Sequence, residues 1–247
     1  EGLAAAGLPA DSAVIRINNR KLLNGLLATA GVSDERQKLG VLRAVDKLDR
    51  LGPDGVRLLL GEGRKDESGA FTKGAGLNAA AAEAVLAFTA AGVGGGDRSS
   101  VLGRLADIIG GSAEGDAGLA ELAAIDGALK SLGVSEAQAV FEPAIVRGLE
   151  YYTGAVFEAE LLLETTDEKG HPVRFGSIGG GGRYDDLVAR FTGQAVPATG
   201  FSFGVSRLAS ALRAAGRDMA ADVRGPVVVI AFNNDDMAHY FAAAGEL

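Results

Sequence analysis

Residues 33 to 133 carry helical periodicity, while the segments on either side of them read as strands. The helical run is thus inserted between strand signals, a mixed α+β pattern rather than that of a helical bundle. The first strand signal is "AVIRIN", residues 13 to 18, where Val14, Ile15 and Ile17 are apolar and Arg16 and Asn18 share one face. Asn18 and Asn19 then suit a helix start, with Leu22, Leu23 and Leu26 as the buried stripe.

Inside the insertion, Asp34 with Gln37 marks a helix start, and Leu39, Leu42, Val45 and Leu48 carry the stripe to a stop at "LGPDG". Pro53 opens a short helix ending near "GEG". Residues 77 to 91, 99 to 109 and 115 to 132 give three more helices, and "GVGGGDRSS" reads as a flexible loop between two of them. After residue 137 the pattern changes. "AVFEPAIV", "YYTGAVFEAELLLE" and "HPVRFGSIGG" read as strands, the last two joined into an antiparallel hairpin by the polar turn "TTDEKGH". "RYDDLVARF" is a short helix, and the strand "ATGFSFG" runs into the helix "VSRLASALRAAG". "RDMAADVRGP" reads as a linker, and "VVVIAFNNDDMAHYFAAAGEL" as a buried strand, a polar turn and a helix that open a βα domain.

Composition narrows the chemistry. The chain has 247 residues, 47% of them apolar, enough for one to two domains. It has no cysteine, so disulfides, thiolate nucleophiles and cysteine-ligated metals are excluded, as suits a cytoplasmic protein. The longest apolar runs are alanine-rich and break at glycine, which reads as helices rather than membrane spans. Net charge is −8, so any nucleic acid must be met by a local basic patch, and the insertion's own sequence shows no dense one. The chain begins without methionine and ends in mid-pattern, and reads as a piece of a longer protein.

Three stretches gather polar or glycine residues at strand ends. In "RGLEYYTGAVFEAE", residues 147 to 160, Arg147 offers planar recognition of a carboxylate or phosphate. Tyr151 and Tyr152 offer rings and hydroxyls, and in an extended strand they point to opposite faces. A surface arginine with one tyrosine in the core and one at the rim is the plain alternative. In "GSIGGGGRYDDL", residues 176 to 187, four successive glycines at a strand end leave room for a ligand, or form a flexible turn. The glycine spacing is not that of a dinucleotide site. In "GFSFGVSRL" Arg207 sits in a helix's first turn, where the dipole disfavours a cation, so it either meets an anion or is simply solvated. "GAFTKGAG" is not a phosphate loop, because Ala75 stands where lysine is required. His171 and His239 lie far apart and suggest neither a metal nor a base, and Asp185 with Asp186 reads as a helix-start charge pair.

Taken in order, these stretches resemble the histidyl-tRNA synthetases. "RGLEYYTG" resembles that family's first histidine-specific motif, "GGGRYDDL" its second, and "GFSFGVSRL" motif 3 of the class II synthetases. "VIRINNRKLLNGLL" and "VLRAVDKLDRLGPDGV" resemble segments that precede and enter the family's insertion domain. Glu150 and Asp186 depart from the usual aspartate and glycine. The resemblance implies a class II antiparallel sheet with flanking helices, divided as catalytic domain 1–32, helical insertion 33–135, catalytic domain 136–217, and linker with the start of an anticodon-binding domain 218–247.

It also implies a ligase that activates histidine with ATP and charges tRNA(His), working as a cytoplasmic homodimer with no membrane partner. Arg147 would contact the α-phosphate and the histidine carboxylate, and Arg207 would contact ATP. Tyr151, Tyr152 and Tyr184, with Gly179, Gly181 and Gly182, would form the histidine pocket. Magnesium would bridge phosphates, with no protein ligand evident. Motif 1, the motif 2 arginine, the N-terminal pocket acids and most of the anticodon-binding domain are not in these residues, so alone they are expected not to aminoacylate. The rival resemblance is to the synthetase-like regulatory subunit of ATP phosphoribosyltransferase, which generally lacks the insertion and the C-terminal domain.

Overall fold

The computed structural model describes residues 2–5, 7–93, 96–146, 151–163, 165–166, 172–173, 175–194, 196–214, 216, 229–233 and 235–246. A short helix, α1 (Gly2–Ala5), precedes the strand β1 (Ala13–Asn19). Asn19 ends that strand and caps α2 (Arg20–Thr29), its side chain accepting from the Lys21 N–H at 3.0 Å. Leu22, Leu23, Leu26 and Leu27 of α2 are all buried.

The insertion follows. Asp34 caps α3 (Glu35–Val45), accepting from the Arg36 and Gln37 N–H groups. Val41, Ala44 and Val45 carry the buried face, with Leu39 and Leu42 only half-buried beside it. Next comes α4 (Leu48–Leu60), bent at Gly52, whose φ of 65° no helix allows. Pro53 restarts the helix where a missing N–H costs nothing. A hairpin then interrupts the stretch read as purely helical: β2 (Gly63–Lys65) pairs with β3 (Phe71–Lys73). Its turn is held by Asp66 Oδ1, which accepts from the N–H groups of Ser68 and Ala70 at 2.9 Å each. Strands this short and exposed leave no alternation in the sequence to read.

Three capped helices complete the insertion. Asn78 caps α5 (Ala79–Ala90), Asp97 caps α6 (Arg98–Ile109) and Ser112 caps α7 (Ala113–Ser131). The cap at Asp97 corrects the loop reading of "GVGGGDRSS", since Arg98 to Ser100 already belong to the helix. Arg98 is buried among α6, α7 and the segment 134–139, its Nη1 donating to the Ala139 carbonyl at 2.8 Å.

The remaining elements are β4 (Ala139–Phe141), β5 (Ala155–Leu161), β6 (Thr165–Thr166), β7 (Pro172–Val173), β8 (Gly176–Arg183), α8 (Asp185–Thr192), β9 (Thr199–Phe203), α9 (Val205–Ala214) and α10 (Met237–Glu246). Of these, β4, β5, β8 and β9 join β1 in a five-stranded sheet of order β4-β1-β5-β8-β9. Only β4 runs parallel to its neighbour, and the other pairings are antiparallel. The hairpin expected between β5 and β8 is present, extended by the small pair β6 and β7, although turn residues 167–171 lie outside the described residues. Thus α+β is the class, with strands from both sides of the insertion sharing one sheet.

Two corrections concern glycine and the C-terminal stretch. Gly179 to Gly182 are not at a strand end; they lie inside β8 and pair with β5 on one side and β9 on the other. The linker read at 217–226 lies outside the described residues, and residues 229–233, expected in a buried strand, form none. Ile230 and Phe232 are exposed there, because no neighbouring strand among the described residues pairs with them. No helix of the described residues is long and apolar enough to cross a membrane.

Candidate active site

Strand pairing sorts the sheet's residues into rows. Asn18, Val156, Gly182 and Gly200 stand opposite one another in turn, and so do Arg16, Glu158, Gly180 and Ser202. Alternate rows hold Ile15 with Ala159, Gly179 and Phe203, and Ile17 with Phe157, Gly181 and Phe201. The period of two therefore gives one apolar face, packed on helices, and one polar face.

The tyrosines gather over the polar face. Tyr151 and Tyr152 do not point apart as an extended strand would send them, because β5 begins only at Ala155. Their ring centroids are 4.7 Å apart, and Tyr184 lies 5.8 Å from Tyr151 and 6.4 Å from Tyr152. Glycine makes this cluster possible. A Cβ on Gly182 would lie 2.8 Å from the Tyr152 ring, and one on Gly200 would lie 2.5 Å from the Tyr184 hydroxyl. Burial, then a hydrogen bond with the Tyr151 hydroxyl, pushes the Tyr152 phenol up to about 12. It therefore stays protonated at neutral pH and serves as a hydrogen-bonding group rather than a base.

Asp185 ties the three motif segments together. Its Oδ2 accepts from Arg183 Nε at 2.8 Å and its Oδ1 from the Ala198 N–H at 3.0 Å. Its own N–H donates to Thr153 Oγ1 at 3.2 Å. The Ala198 N–H, joined by Arg183, holds this carboxyl below its usual range. Asp185 does open a helix, as read, while its links to residues 153 and 198 are long-range contacts that no local pattern marks.

Arg207 lies in the first turn of α9 and donates from Nη1 to the Ser177 carbonyl. It lines a cleft of about 580 Å³ with Gly179, Gly180, Ser202 and Ser206. Arg147 lies outside the described residues, as do Gly148 and Glu150, so its place is marked only by the stems that end at Val146 and resume at Tyr151. The structure thus brings Tyr151, Tyr152, Tyr184 and Gly182 together, and sets Arg207 with Gly179 further along β8 and β9.

Two further assemblies were invisible in the sequence. Arg16 Nε donates to Glu160 at 2.6 Å and its Nη1 to Glu142 at 3.3 Å, beside a cavity of about 520 Å³ that also receives Asp46, Asp49 and Glu158. Burial pushes the Glu142 carboxyl above its usual range, against the pull of the Ala144 N–H and Arg16. On the insertion, Arg36, Arg43, Lys47 and Lys73 line a groove of about 290 Å³ containing no carboxylate. Among the described residues none of the four has an ion-pair partner. No dense basic run marks this groove in the sequence, because its cations are spread from residue 36 to residue 73 and are brought together where Ala75, just after β3, packs on Gly40 of α3.

Comparison with known proteins agrees with this geometry. The family model described as Histidyl-tRNA synthetase matches residues 1–208. A histidine–tRNA ligase of Caulobacter vibrioides is 68% identical over 247 residues, covering 100% of this chain and 50% of the relative. Among solved structures, a histidyl-tRNA synthetase from a Nostoc species superposes with a TM-score of 0.68 at 29% identity, covering 99% of this chain and 52% of the other. An ATP phosphoribosyltransferase regulatory subunit/histidyl-tRNA synthetase from Bacillus halodurans shares the fold, with a TM-score of 0.59 at 24% identity over 85% of this chain and 47% of the other. The chain spans about half the length of the curated relatives it matches. With its sheet, its glycine strand and its tyrosine cluster all inside the matched span, the chain belongs to the histidyl-tRNA synthetase family.

Proposed function

We propose that the full-length protein carrying this chain is a class II histidine–tRNA ligase. It activates histidine with ATP to histidyl-adenylate, releasing pyrophosphate, and passes the histidyl group to tRNA(His). The observation that carries this reading is the cluster of three tyrosines seated over Gly182 and Gly200. Protonated hydroxyls held over the sheet suit an imidazole ring, which both donates and accepts hydrogen bonds. A wrong amino acid leaves those hydroxyls unpaired, and that is where selectivity arises. In this reading Gly182 lies in the pocket's floor with Gly181 beside it in the strand, Gly179 lies further along toward Arg207, Arg147 meets the α-phosphate and carboxylate, and Arg207 meets ATP across its cleft. Magnesium would arrive with the phosphates of ATP. Among the described residues no group of three acidic or histidine side chains converges to hold it.

Residues 33–135 are in this reading an inserted domain and 218–247 the linker and start of an anticodon-binding domain, in a cytoplasmic homodimer. The 68% identity to a ligase and the helices α3 to α7 favour this over the phosphoribosyltransferase regulator. The deciding experiment is histidine-dependent ATP–pyrophosphate exchange and tRNA charging by the full-length protein. Control of a phosphoribosyltransferase by histidine, without charging, would reverse the assignment.

The cationic groove of the insertion is the surface we assign to the tRNA backbone. Arg36 and Arg43 are seven residues apart on α3, about 10 Å along its axis, so they reach successive phosphates rather than one. Replacing Arg43 and Lys47 by glutamine should weaken tRNA binding and lower the slope of log K against log salt by about 2. An unchanged slope would remove the groove from the tRNA path.

A further inference from the structure

We propose that Asp185 is a positioning residue of the histidine pocket: its carboxylate holds Arg183 and the entry to β9, and so sets the gap between the Tyr152 and Tyr184 rings. The inference rests on the reading of the tyrosine cluster given above. Asp185 is the first residue of α8, where a carboxylate ordinarily faces the N–H groups of its own helix. Here both oxygens turn to other segments. Oδ1 accepts from the Ala198 N–H, 13 residues along the chain, at 3.0 Å, and Oδ2 accepts from Arg183 Nε at 2.8 Å.

Each of those bonds leads to one ring. The Tyr184 N–H donates to the Ala198 carbonyl at 2.8 Å, so Ala198 is gripped at its carbonyl by one residue and at its amide by the next. Two residues further on, Gly200 passes under the Tyr184 hydroxyl, where a Cβ would lie 2.5 Å from that oxygen. On the other side the stem of Arg183 rests on Gly154, where a Cβ would lie 3.2 Å from Arg183 Cδ, and Gly154 is two residues beyond Tyr152. Thr153, between them, donates its N–H to the Arg183 carbonyl at 2.8 Å, and its Oγ1 accepts from the Asp185 N–H at 3.2 Å. The backbones that carry the two rings, whose centroids lie 6.4 Å apart, are thus tied through one carboxylate. Pocket hydroxyls discriminate only while supporting contacts of this kind hold them within a narrow tolerance. Asp186 stands in the same first turn and makes no hydrogen bond or ion pair among the described residues, which makes it the natural control for charge alone.

The test is histidine-dependent ATP–pyrophosphate exchange by the full-length protein and its variants Asp185→Ala, Asp185→Asn, Asp186→Ala, Tyr184→Phe and Asp185→Ala/Tyr184→Phe. Asp185→Ala should raise the KM for histidine by about 10–10²-fold, the order of one hydrogen bond to a charged group, and change kcat and the KM for ATP by less than about 3-fold. Asp185→Asn keeps an acceptor for the Ala198 N–H without the charge that faces Arg183, and should recover part of the loss. Asp186→Ala removes the same charge from the same helix turn and should leave the KM for histidine near wild type. Because Asp185 acts through the ring beside it, the losses in Asp185→Ala and Tyr184→Phe should not multiply in the double variant. A wild-type KM in Asp185→Ala, an equal rise in Asp186→Ala, a loss confined to kcat, or losses that multiply would each overturn the proposal. So would failure of both Asp185 variants to fold, which would make the residue structural only. A wild-type KM for histidine in Tyr184→Phe removes that tyrosine from the pocket itself, whereas a raised KM in Tyr184→Phe beside an unchanged Asp185→Ala removes only the role of Asp185.

Discussion

Alanine at Arg98 should lower the unfolding free energy by about 3–5 kcal/mol, the usual cost of removing one partner from a buried ion pair. The side chain is 2% exposed, and its Nε donates to Asp126 Oδ1 at 2.6 Å. Nη1 donates to the carbonyls of Ala139 at 2.8 Å and Ser135 at 3.2 Å, and it lies 3.2 Å from Glu136. Truncation leaves the buried Asp126 with Lys130 as its ion-pair partner at 2.7 Å, and removes a charged donor from three carbonyls. Lysine should recover little, because a point charge cannot replace a planar fork that serves several acceptors. Replacing both Arg98 and Asp126 by apolar residues should cost less than Arg98→Ala alone, since no unpaired charge is left behind.

The measurement is urea unfolding, with amide exchange across α6, α7 and β4 to localise the loss. A cost of Arg98→Ala below about 1 kcal/mol, the range of exposed pairs, would show that the network is not a buried one. Its pH dependence has a fixed sign. Burial pushes the Asp126 carboxyl up, but the hydrogen bonds from Lys130 and Arg98 outweigh that and hold it below its usual range. The contribution is therefore present above the ordinary aspartate value of about 3.9 and is lost as pH falls through the lower folded-state value.

What could be read from the chain divides along the range of the interactions. Asn19 and Asp34 were legible as helix caps because a cap is a bond between residues two or three apart. The strand "AVIRIN" was legible because its own alternation sets its faces. The glycine run was misplaced because glycine carries no strand preference of its own. Gly179 to Gly182 are held in β8 by β5 and β9, and the need for glycine there comes from rings brought in by residues 152 and 184. The same holds for the cationic groove, for Arg16 between Glu142 and Glu160, and for Asn18, whose partners are 125 and 127 residues away. The family is legible in the order of the motifs, while the geometry around them belongs to contacts that no local pattern encodes.

Alanine at Arg147 should slow histidyl-adenylate formation by the full-length protein about 10²–10³-fold, or about 3–4 kcal/mol, as for loss of one donor aimed at developing charge. In the in-line displacement the histidine carboxylate attacks the α-phosphate and negative charge spreads over the phosphate oxygens as pyrophosphate departs. A guanidinium can bond two oxygens at once in a fixed plane, so its contribution grows as that charge gathers. The loss should therefore fall on kcat rather than on the KM for ATP, which the proposed reading gives to Arg207 and the cleft lined by β8, β9 and the start of α9. Lysine at 147 should restore only part of the rate, because it supplies charge without the second aligned donor. Tyr152→Phe provides the contrast. It removes a protonated hydroxyl, so it should raise the KM for histidine and relax selectivity, with a smaller effect on kcat. Pre-steady-state adenylate formation separates the two patterns. If Arg147→Ala raised only the KM for histidine, the arginine would belong to the amino-acid pocket and charge stabilisation would have to come from elsewhere in the protein.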